Sequence, residues 1–546
     1  RDASEPASSR FAPGLLDEKH AQRLHTEYAE SEPFKHIVIE QLFDDALLRG
    51  VKDEILRNIQ FTEKETDIYK ARDLASLSYL TAEQLALFPS LSTLRDALYG
   101  AEFRQFLRTV TGCGPLSGSK QDMSVNSYKK GCHLLNHDDV IGTRRVSYIL
   151  YLPLPHSEPW KPSFGGALEL YPTVLNSQGI LEPLPTPSKV VPPSWNQFIF
   201  FEVQPGRSFH SVEEVVVEPG SDDRQRLSIS GWFHKPQEGE DGWEPEDPMR
   251  DKSSLEQLST SSTPLTPYPS TLGSHEEALT SNEISFLSTY IDSIYLSASN
   301  LKMLADRFAS ESSIELHSFL GKDYAARLET ELRALDMVEG FSDPERQGAI
   351  PSHSSGVCCG TGWTIRGPPH KLRYCVSDPS ATGTSTIREL EAKLFPSTEF
   401  RSWLRLLSSL VPTAYGGLEA RRFRPGLDYT LARSEAEDSR LDVVLGLTPS
   451  DDGWESGVWG GWDCYMAPHE GEEDPAVYRS ASGRKKGLEN EEEGTLLVAQ
   501  PGFNRLLVVL RDAGVLSFVK YVSAEAKGCR WDVYGEWAVE DPNADL

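Results

Sequence analysis

Apolar residues recur at two different periods along this chain, helical at first and then close to two, and the whole change is run through twice. Residues 1–33 are polar, with helical spacing only over Leu15–Tyr28, and are read as a flexible leader. PFKHIVIEQLF comes next as an extended apolar stretch, after which Asp44 or Asp45 caps a helix that places Leu47, Val51 and Ile55 on one face. Leu91, Leu94 and Leu98, then Phe103, Phe106, Leu107 and Val110, repeat at helical spacing, so helices are predicted over 81–111. From Tyr128 the texture changes to short β-rich runs, VSYILYLP, GGALELYP, NQFIFFEV, HSVEEVVV and RLSISGWF, separated by turn residues. Helices packed outside an antiparallel barrel or sandwich are the natural architecture.

Residues 236–282 are rich in Pro, Ser, Thr, Gly and acid with few aliphatics, too little apolar surface to offset ordering entropy, and are predicted to be a disordered linker. Helical periodicity then returns at Leu301, Leu304 and Phe308 and at Tyr324, Leu328, Leu332 and Leu335, and β-rich runs dominate after about residue 420. The two halves read as copies. Leu87-Phe88-Pro89-Ser90 with Glu102 to Leu107 is echoed by Leu394-Phe395-Pro396-Ser397 with Glu399 to Leu404, and WNQFIFFEV answers to FNRLLVVLR. In that register His137 falls opposite Ala432, Asp139 opposite Ser434, His210 opposite Phe518 and Arg226 opposite Arg530. Two folded units are therefore expected, 34–235 and 283–546, with chemistry in the first alone.

A chain of 546 residues exceeds what one compact core usually supports. Its net charge of -28 disfavours a general binder of phosphate backbones, so no direct DNA binding is expected. Seven cysteines without metal-ligand spacing argue against a disulfide framework or zinc module and fit a reducing compartment. No apolar run is long enough to cross a bilayer, and no membrane association is expected. The chain begins at Arg1 rather than Met, which leaves room for residues before it.

Candidate chemistry gathers at His137-Asp138-Asp139, His210 and Arg226. In an alternating strand residues two apart share a face, so His137 and Asp139 could hold one metal ion that a distant histidine completes; two imidazoles and a carboxylate leave positions open, as oxygen chemistry at Fe(II) requires. The short pattern is cheap, since His25, His156 and His275 also stand two residues before a glutamate. On spacing alone these residues read equally well as core or surface histidines and a turn aspartate. Arg484-Lys485-Lys486 reads as a solvated loop before it reads as a signal or binding patch.

KETDIYK (64–70), YKKGCHLLNHDDVIGTRRVSYILYL (128–152), GGALELYP (165–172), WNQFIFFEVQPGRSFHSVEEV (195–215) and RLSISGWFH (226–234) carry a resemblance to the 2-oxoglutarate- and Fe(II)-dependent prolyl hydroxylases that act on a ribosomal protein, the family of the fungal termination and polyadenylation protein. The resemblance implies an α+β, mainly β chain of two double-stranded β-helix (jelly-roll) domains with flanking helices, the second without iron. It implies His137, Asp139 and His210 as iron ligands, Asp138 as a bystander making local hydrogen bonds, Arg226 gripping the distal carboxylate of 2-oxoglutarate, and Tyr151 and Tyr128 beside it. Fifteen residues separate His210 from Arg226, longer than is usual in the family, with Arg224 as a fallback anchor. Fe(II), 2-oxoglutarate and O2, with ascorbate in support, are the implied cofactors. The implied substrate is a small-subunit ribosomal protein, hydroxylated on proline at ring carbon 3, once or twice, with an effect on translation accuracy and termination. The second domain would dock or stabilise, for a regulatory partner or the substrate, and the expected location is nucleus and cytoplasm. A different 2-oxoglutarate oxygenase activity, on lysine or nucleic acid, and an oxygen-sensing regulatory binder are the alternatives.

Overall fold

The computed structural model describes residues 7–74, 80–218, 220–221, 223–245, 264–269, 278–346, 348–357, 362–378, 385–433, 438–467 and 495–540. Two compact units divide the chain, the first taking in Arg1–Gln257 and the second most of the residues beyond it.

The first unit is an antiparallel sheet with helices against one face. Its strands are β1 (His36–Ile39), β2 (Thr62–Glu65), β3 (Tyr69–Leu74), β4 (Gln121–Tyr128), β5 (His133–His137), β6 (Arg144–Tyr151), β7 (Leu168–Leu170), the hairpin β8 (Thr173–Leu175) and β9 (Leu181–Pro183), β10 (Lys189–Val191), β11 (Phe198–Glu202), β12 (His210–Val212) and β13 (Arg226–His234). They run in the order β1-β11-β6-β13-β4-β3-β5-β12-β7-β10, with β2 on β3. Strand alternation sorts the two faces. Leu227, Ile229 and Phe233 of β13 and Val146, Tyr148 and Leu150 of β6 enter the apolar core under the helices, whereas Arg226, Ser228, Ser230 and Trp232 of β13 and Ser147 and Ile149 of β6 line a cavity on the other face. Gly231 stands within β13 because a Cβ there would lie 2.0 Å from the Asp122 carbonyl oxygen.

The helices are α1 (Glu18–Glu30), α2 (Asp45–Asn58), α3 (Ala82–Leu85), α4 (Pro89–Leu98) and α5 (Ala101–Thr111). Asp44 caps α2 by accepting from the Ala46 and Leu47 amides. Glu54, buried on the inner face of α2, accepts from the Ser90 and Leu91 amides and so caps α4 through space.

The predicted flexible leader over 1–33 needs correction. From Phe11 onward it belongs to the core: Phe11 stacks on Phe43 and Phe103, Leu15, Leu24 and Tyr28 are buried, and the Tyr28 hydroxyl accepts from the Glu202 amide at 3.2 Å. A helix that shows only one narrow apolar stripe among charges reads as polar overall, and the stripe is what packs. The predicted disordered linker over 236–282 also needs correction where it is described. Glu240 accepts from the Gly118 and Ser119 amides, Leu265–Pro267 forms a strand on Ala414–Gly416, and buried Tyr268 accepts from Trp537 Nε1 at 2.9 Å. Backbone pairing and one anchored ring hold this piece, which a count of aliphatic residues does not register. Residues 246–263 and 270–277 of that segment, and Arg484-Lys485-Lys486, lie outside the described residues.

The second unit repeats the first. Val411–Phe423, Arg440–Leu447, Phe503–Arg511 and Arg530–Glu540 stand in the order taken by β4, β6, β11 and β13, and Ser313–His317 takes the place of β1. Asn196 and Asn504 have left-handed backbones, φ 66° and 57°. Each carboxamide closes onto buried backbone just ahead of a helix, α2 in the first unit and Lys322–Val338 in the second: Asn196 with the Leu42 and Phe43 amides and the Phe43 carbonyl, Asn504 with the Leu320 amide and carbonyl. Replacing either by Ala strands buried backbone groups and removes the carboxamide that makes the left-handed backbone tolerable, and is expected to lower stability by roughly 2–4 kcal/mol, measured as a drop in thermal midpoint; an unchanged midpoint would show that the two closures are dispensable.

Candidate active site

Strand pairing brings the two histidines together. β5 and β12 are antiparallel neighbours with His137 opposite His210, and their ring centroids are 4.2 Å apart. Each Nδ1 is held by a carbonyl two residues back, Leu135 O for His137 and Ser208 O for His210, both at 2.8 Å. Both Nε2 atoms therefore face Asp139, at 3.4 Å from Oδ1 and 3.5 Å from Oδ2. Asp139 does not arrive by strand alternation, contrary to the expectation from sequence. β5 ends at His137, and a left-handed turn at Asp139, φ 61°, swings the carboxylate back onto the rings. Asp138 makes the local bonds expected of it: Oδ1 accepts from Val140 N at 3.3 Å, and its carbonyl accepts from Ser208 Oγ at 2.9 Å. That second bond ties the turn to the loop carrying His210.

The electrostatics stem from burial. Burial alone would raise the Asp139 carboxyl, but His210, His137 and Arg144 outweigh it and hold the group well below the usual carboxylate range. Burial, aided by His137, pushes His210 down to about 4. Burial also works against protonation of His137, but Asp139 more than compensates and the net direction is up. A neutral His210 beside an ionised Asp139 is ready for a metal, whereas His137, favoured as imidazolium while the carboxylate is its partner, gives up its proton when a cation takes that place.

Arg226 opens β13 opposite Tyr128. Its Nε donates to Gly166 O at 2.7 Å, and its guanidinium carbon lies 5.0 Å from the Tyr128 ring centroid and 4.9 Å from that of Tyr151. Nη2 of Arg226 and the hydroxyl of Tyr151, both buried, have no hydrogen-bond partner among the described residues. Burial raises the Tyr151 phenol, with Arg226 opposing, so it stays a donor. Arg224, the fallback anchor, is turned away, paired with Glu158 and lying over the Phe164 ring at 4.8 Å. His137, Asp139, His210, Tyr128 and Arg226 line one cavity.

Known proteins resemble this chain. Residues 123–234 match the model of the 2OG-Fe(II) oxygenase superfamily, and residues 282–545 match the model described as oxoglutarate and iron-dependent oxygenase degradation C-term. A prolyl 3,4-dihydroxylase from Ostreococcus tauri is 35% identical over 92% of this chain and 94% of its own length. Prolyl 3-hydroxylases from Drosophila melanogaster and Xenopus laevis are 27% and 28% identical over 90% and 91% of this chain, and over 80% and 85% of their own. The chain belongs to the 2-oxoglutarate- and iron(II)-dependent prolyl hydroxylases.

A member of this family uses Fe(II), 2-oxoglutarate and O2, and the residues present fit the metal and the oxo-acid. The His137, Asp139 and His210 donor atoms lie within 4.8 Å of one another, a two-imidazole, one-carboxylate set that leaves coordination positions open. An unpaired guanidinium nitrogen of Arg226 in the cavity wall, with the buried Tyr151 phenol beside that arginine, suits a carboxylate. Three features of this hydroxylase site are not anticipated by the sequence reading. Ser147 Oγ donates to Asp139 Oδ2 at 2.8 Å; Arg144 lies 3.4 Å over the Trp232 ring and 3.9 Å from Asp139 Oδ1; Asn126 bonds Ser230 at 2.8 Å in the cavity wall. Alternation held the signal for two of them, since Ser147 shares a face with Tyr151 and Asn126 with Tyr128. Ser147→Ala is expected to weaken Fe(II) or Mn(II) binding about 10–100-fold by loosening Asp139, read by direct metal titration; unaltered affinity would show that Ser147 does not orient the carboxylate.

Proposed function

We propose that His137, Asp139 and His210 hold one Fe(II), that Arg226 and Tyr151, with Tyr128 as wall, seat the distal carboxylate of 2-oxoglutarate, and that the enzyme hydroxylates a prolyl residue of a small-subunit ribosomal protein at ring carbon 3, once or twice. The observation that carries this reading is the convergence in one cavity of three metal-competent donors with a buried guanidinium whose Nη2 has no partner among the described residues. The first sheet is read as a double-stranded β-helix, which accounts for β5, β12 and β13 meeting around that cavity. Iron with 2-oxoglutarate and O2 supplies the oxidant for a C–H bond, one oxygen atom going to the prolyl ring and the other to succinate as CO2 leaves.

What the chain itself contributes is placement. The planar guanidinium of Arg226, fixed by Gly166 and two aromatic faces, offers paired donors to a carboxylate and sets the length of ligand the cavity accepts. The core side chains behind β6 and β13 keep that face rigid and water out. The choice of proline is supported by the relatives' names, and the ribosomal substrate by the sequence resemblance together with a net charge of -28 that suits a basic partner. Modification of such a protein would act on translation accuracy and termination, in nucleus and cytoplasm, with ascorbate sustaining turnover and the second unit serving to dock or stabilise.

Incubating small-subunit ribosomal proteins with the enzyme, Fe(II), 2-oxoglutarate and O2 is expected to add one or two oxygen atoms to a proline, seen by fragment mass analysis, and His137→Ala to add none. Oxygen on another residue type, or turnover by the variant, would overturn the reading. Arg226→Lys is expected to raise the KM for 2-oxoglutarate about 10–100-fold, the worth of one or two charge-assisted bonds, while leaving metal affinity unchanged; an unaltered KM would remove Arg226 as the anchor.

A further inference from the structure

Shared strand registers match the second unit to the first, residue by residue. Arg530 faces Phe423 as Arg226 faces Tyr128. Asp532 lies between Arg421 and Gly446 as Ser228 lies between Asn126 and Tyr151. The cradle of the anchor is retained. Arg530 Nε donates to Gly461 O at 2.7 Å, the distance at which Arg226 Nε meets Gly166 O. Gly166 and Gly461 share φ 71°, and a Cβ on either would press on the Cδ of its arginine, at 3.0 and 3.4 Å. The outer nitrogens differ. Where Arg226 Nη2 has no partner among the described residues, Arg530 Nη2 donates to Asp463 Oδ2 at 2.8 Å and Nη1 to Asp532. Arg421, at the place of Asn126, clasps the same Asp532 with two bonds of 2.7 Å.

We propose that Asp463 and Asp532 are built-in occupants of the second unit's oxo-acid anchor, so that this unit binds no dicarboxylate and the full chain takes one 2-oxoglutarate. Two arginines and two aspartates neutralise one another there, and Asp532 is fully buried. An incoming carboxylate would have to displace one already fixed by the fold, with no gain in the number of bonds and with a buried anion left unpaired. Loss of Tyr151's counterpart to Gly446 removes the phenol donor as well. The retained arginine thus holds the strand Arg530–Glu540 against the Gly461 loop instead of a ligand, and the second unit keeps the scaffold of an oxygenase without its small-molecule site. None of these residues lines the first cavity, and their pairing does not depend on the role given to Arg226.

The test is calorimetric titration of 2-oxoglutarate and of succinate into the full chain, native and carrying Asp463→Leu, Asp532→Ser and Arg421→Asn, the residues found at the matching places of the first unit. Native Mn(II)-loaded protein is expected to bind one equivalent of 2-oxoglutarate, unaffected by Arg530→Met. The triple variant is expected to gain a second equivalent that needs no metal, is lost on adding Arg530→Met, and raises the variant's melting temperature as dicarboxylate is added. Two equivalents in the native protein, one of them sensitive to Arg530→Met, would overturn the proposal, as would a folded triple variant that succinate neither binds nor stabilises. Should the triple variant not fold, the native stoichiometry and its response to Arg530→Met still decide. Failure of the first-site reading would show separately, as a native equivalent indifferent to Arg226.

Discussion

Antiparallel pairing of β5 with β12 is the constraint on which the rest of the site depends. It sets His137 opposite His210, two residues 73 positions apart that no local motif links. Once the backbones are in register, two further choices aim the donors: each Nδ1 is held by its own chain's carbonyl, and a left-handed turn folds Asp139 back between the rings. A left-handed backbone costs a non-glycine residue about 1–2 kcal/mol, and here Ser147 and the Asp138–Ser208 bond supply compensating contacts. The trio is thus pre-arranged by main-chain hydrogen bonding rather than by the flexible ends of side chains, as a metal site with open positions requires.

The internal duplication shows which parts of this arrangement are scaffold and which are chemistry. The asparagine closures, the glycine pair before β7, the arginine that opens β13 and the strand order occur in both units. The register of the Arg433–Ser517 bridge sets Ala432 opposite Phe518 in the second unit, so the strand pair that presents two imidazoles in one unit presents a methyl group and a ring in the other. Ser434, the counterpart of Asp139, lies outside the described residues. An antiparallel sheet packed against helices tolerates such replacement because its stability rests on the helix-facing alternate residues, which remain apolar in both copies. Cavity-facing positions are then free to carry iron ligands, or buried ion pairs.

Much of this is legible in the sequence, and the limits are physical. Period-two alternation in RLSISGWF separates core from cavity and prefers Arg226 over Arg224, which the structure sends to Glu158. The helices over 81–111 and the match between WNQFIFFEV and FNRLLVVLR correspond to α3–α5 and to strands of equal register. What escapes are features that composition does not encode. The turn at Asp139 reads as strand because a left-handed aspartate has no signature of its own. Residues 11–30 read as loose chain because their apolar stripe is thin, and Leu265–Pro267 because it is held by backbone bonds. Ser147 is easily overlooked, although its place two residues from Ile149 and four from Tyr151 puts it on the cavity face.

One iron per chain, held by His137, Asp139 and His210 and nowhere else, is the central claim. Elemental analysis of protein loaded anaerobically with Fe(II) and freed of loose metal tests it directly. One equivalent in the native chain and near zero in His210→Ala is the expected result; two equivalents, or a full equivalent retained by the variant, would contradict it.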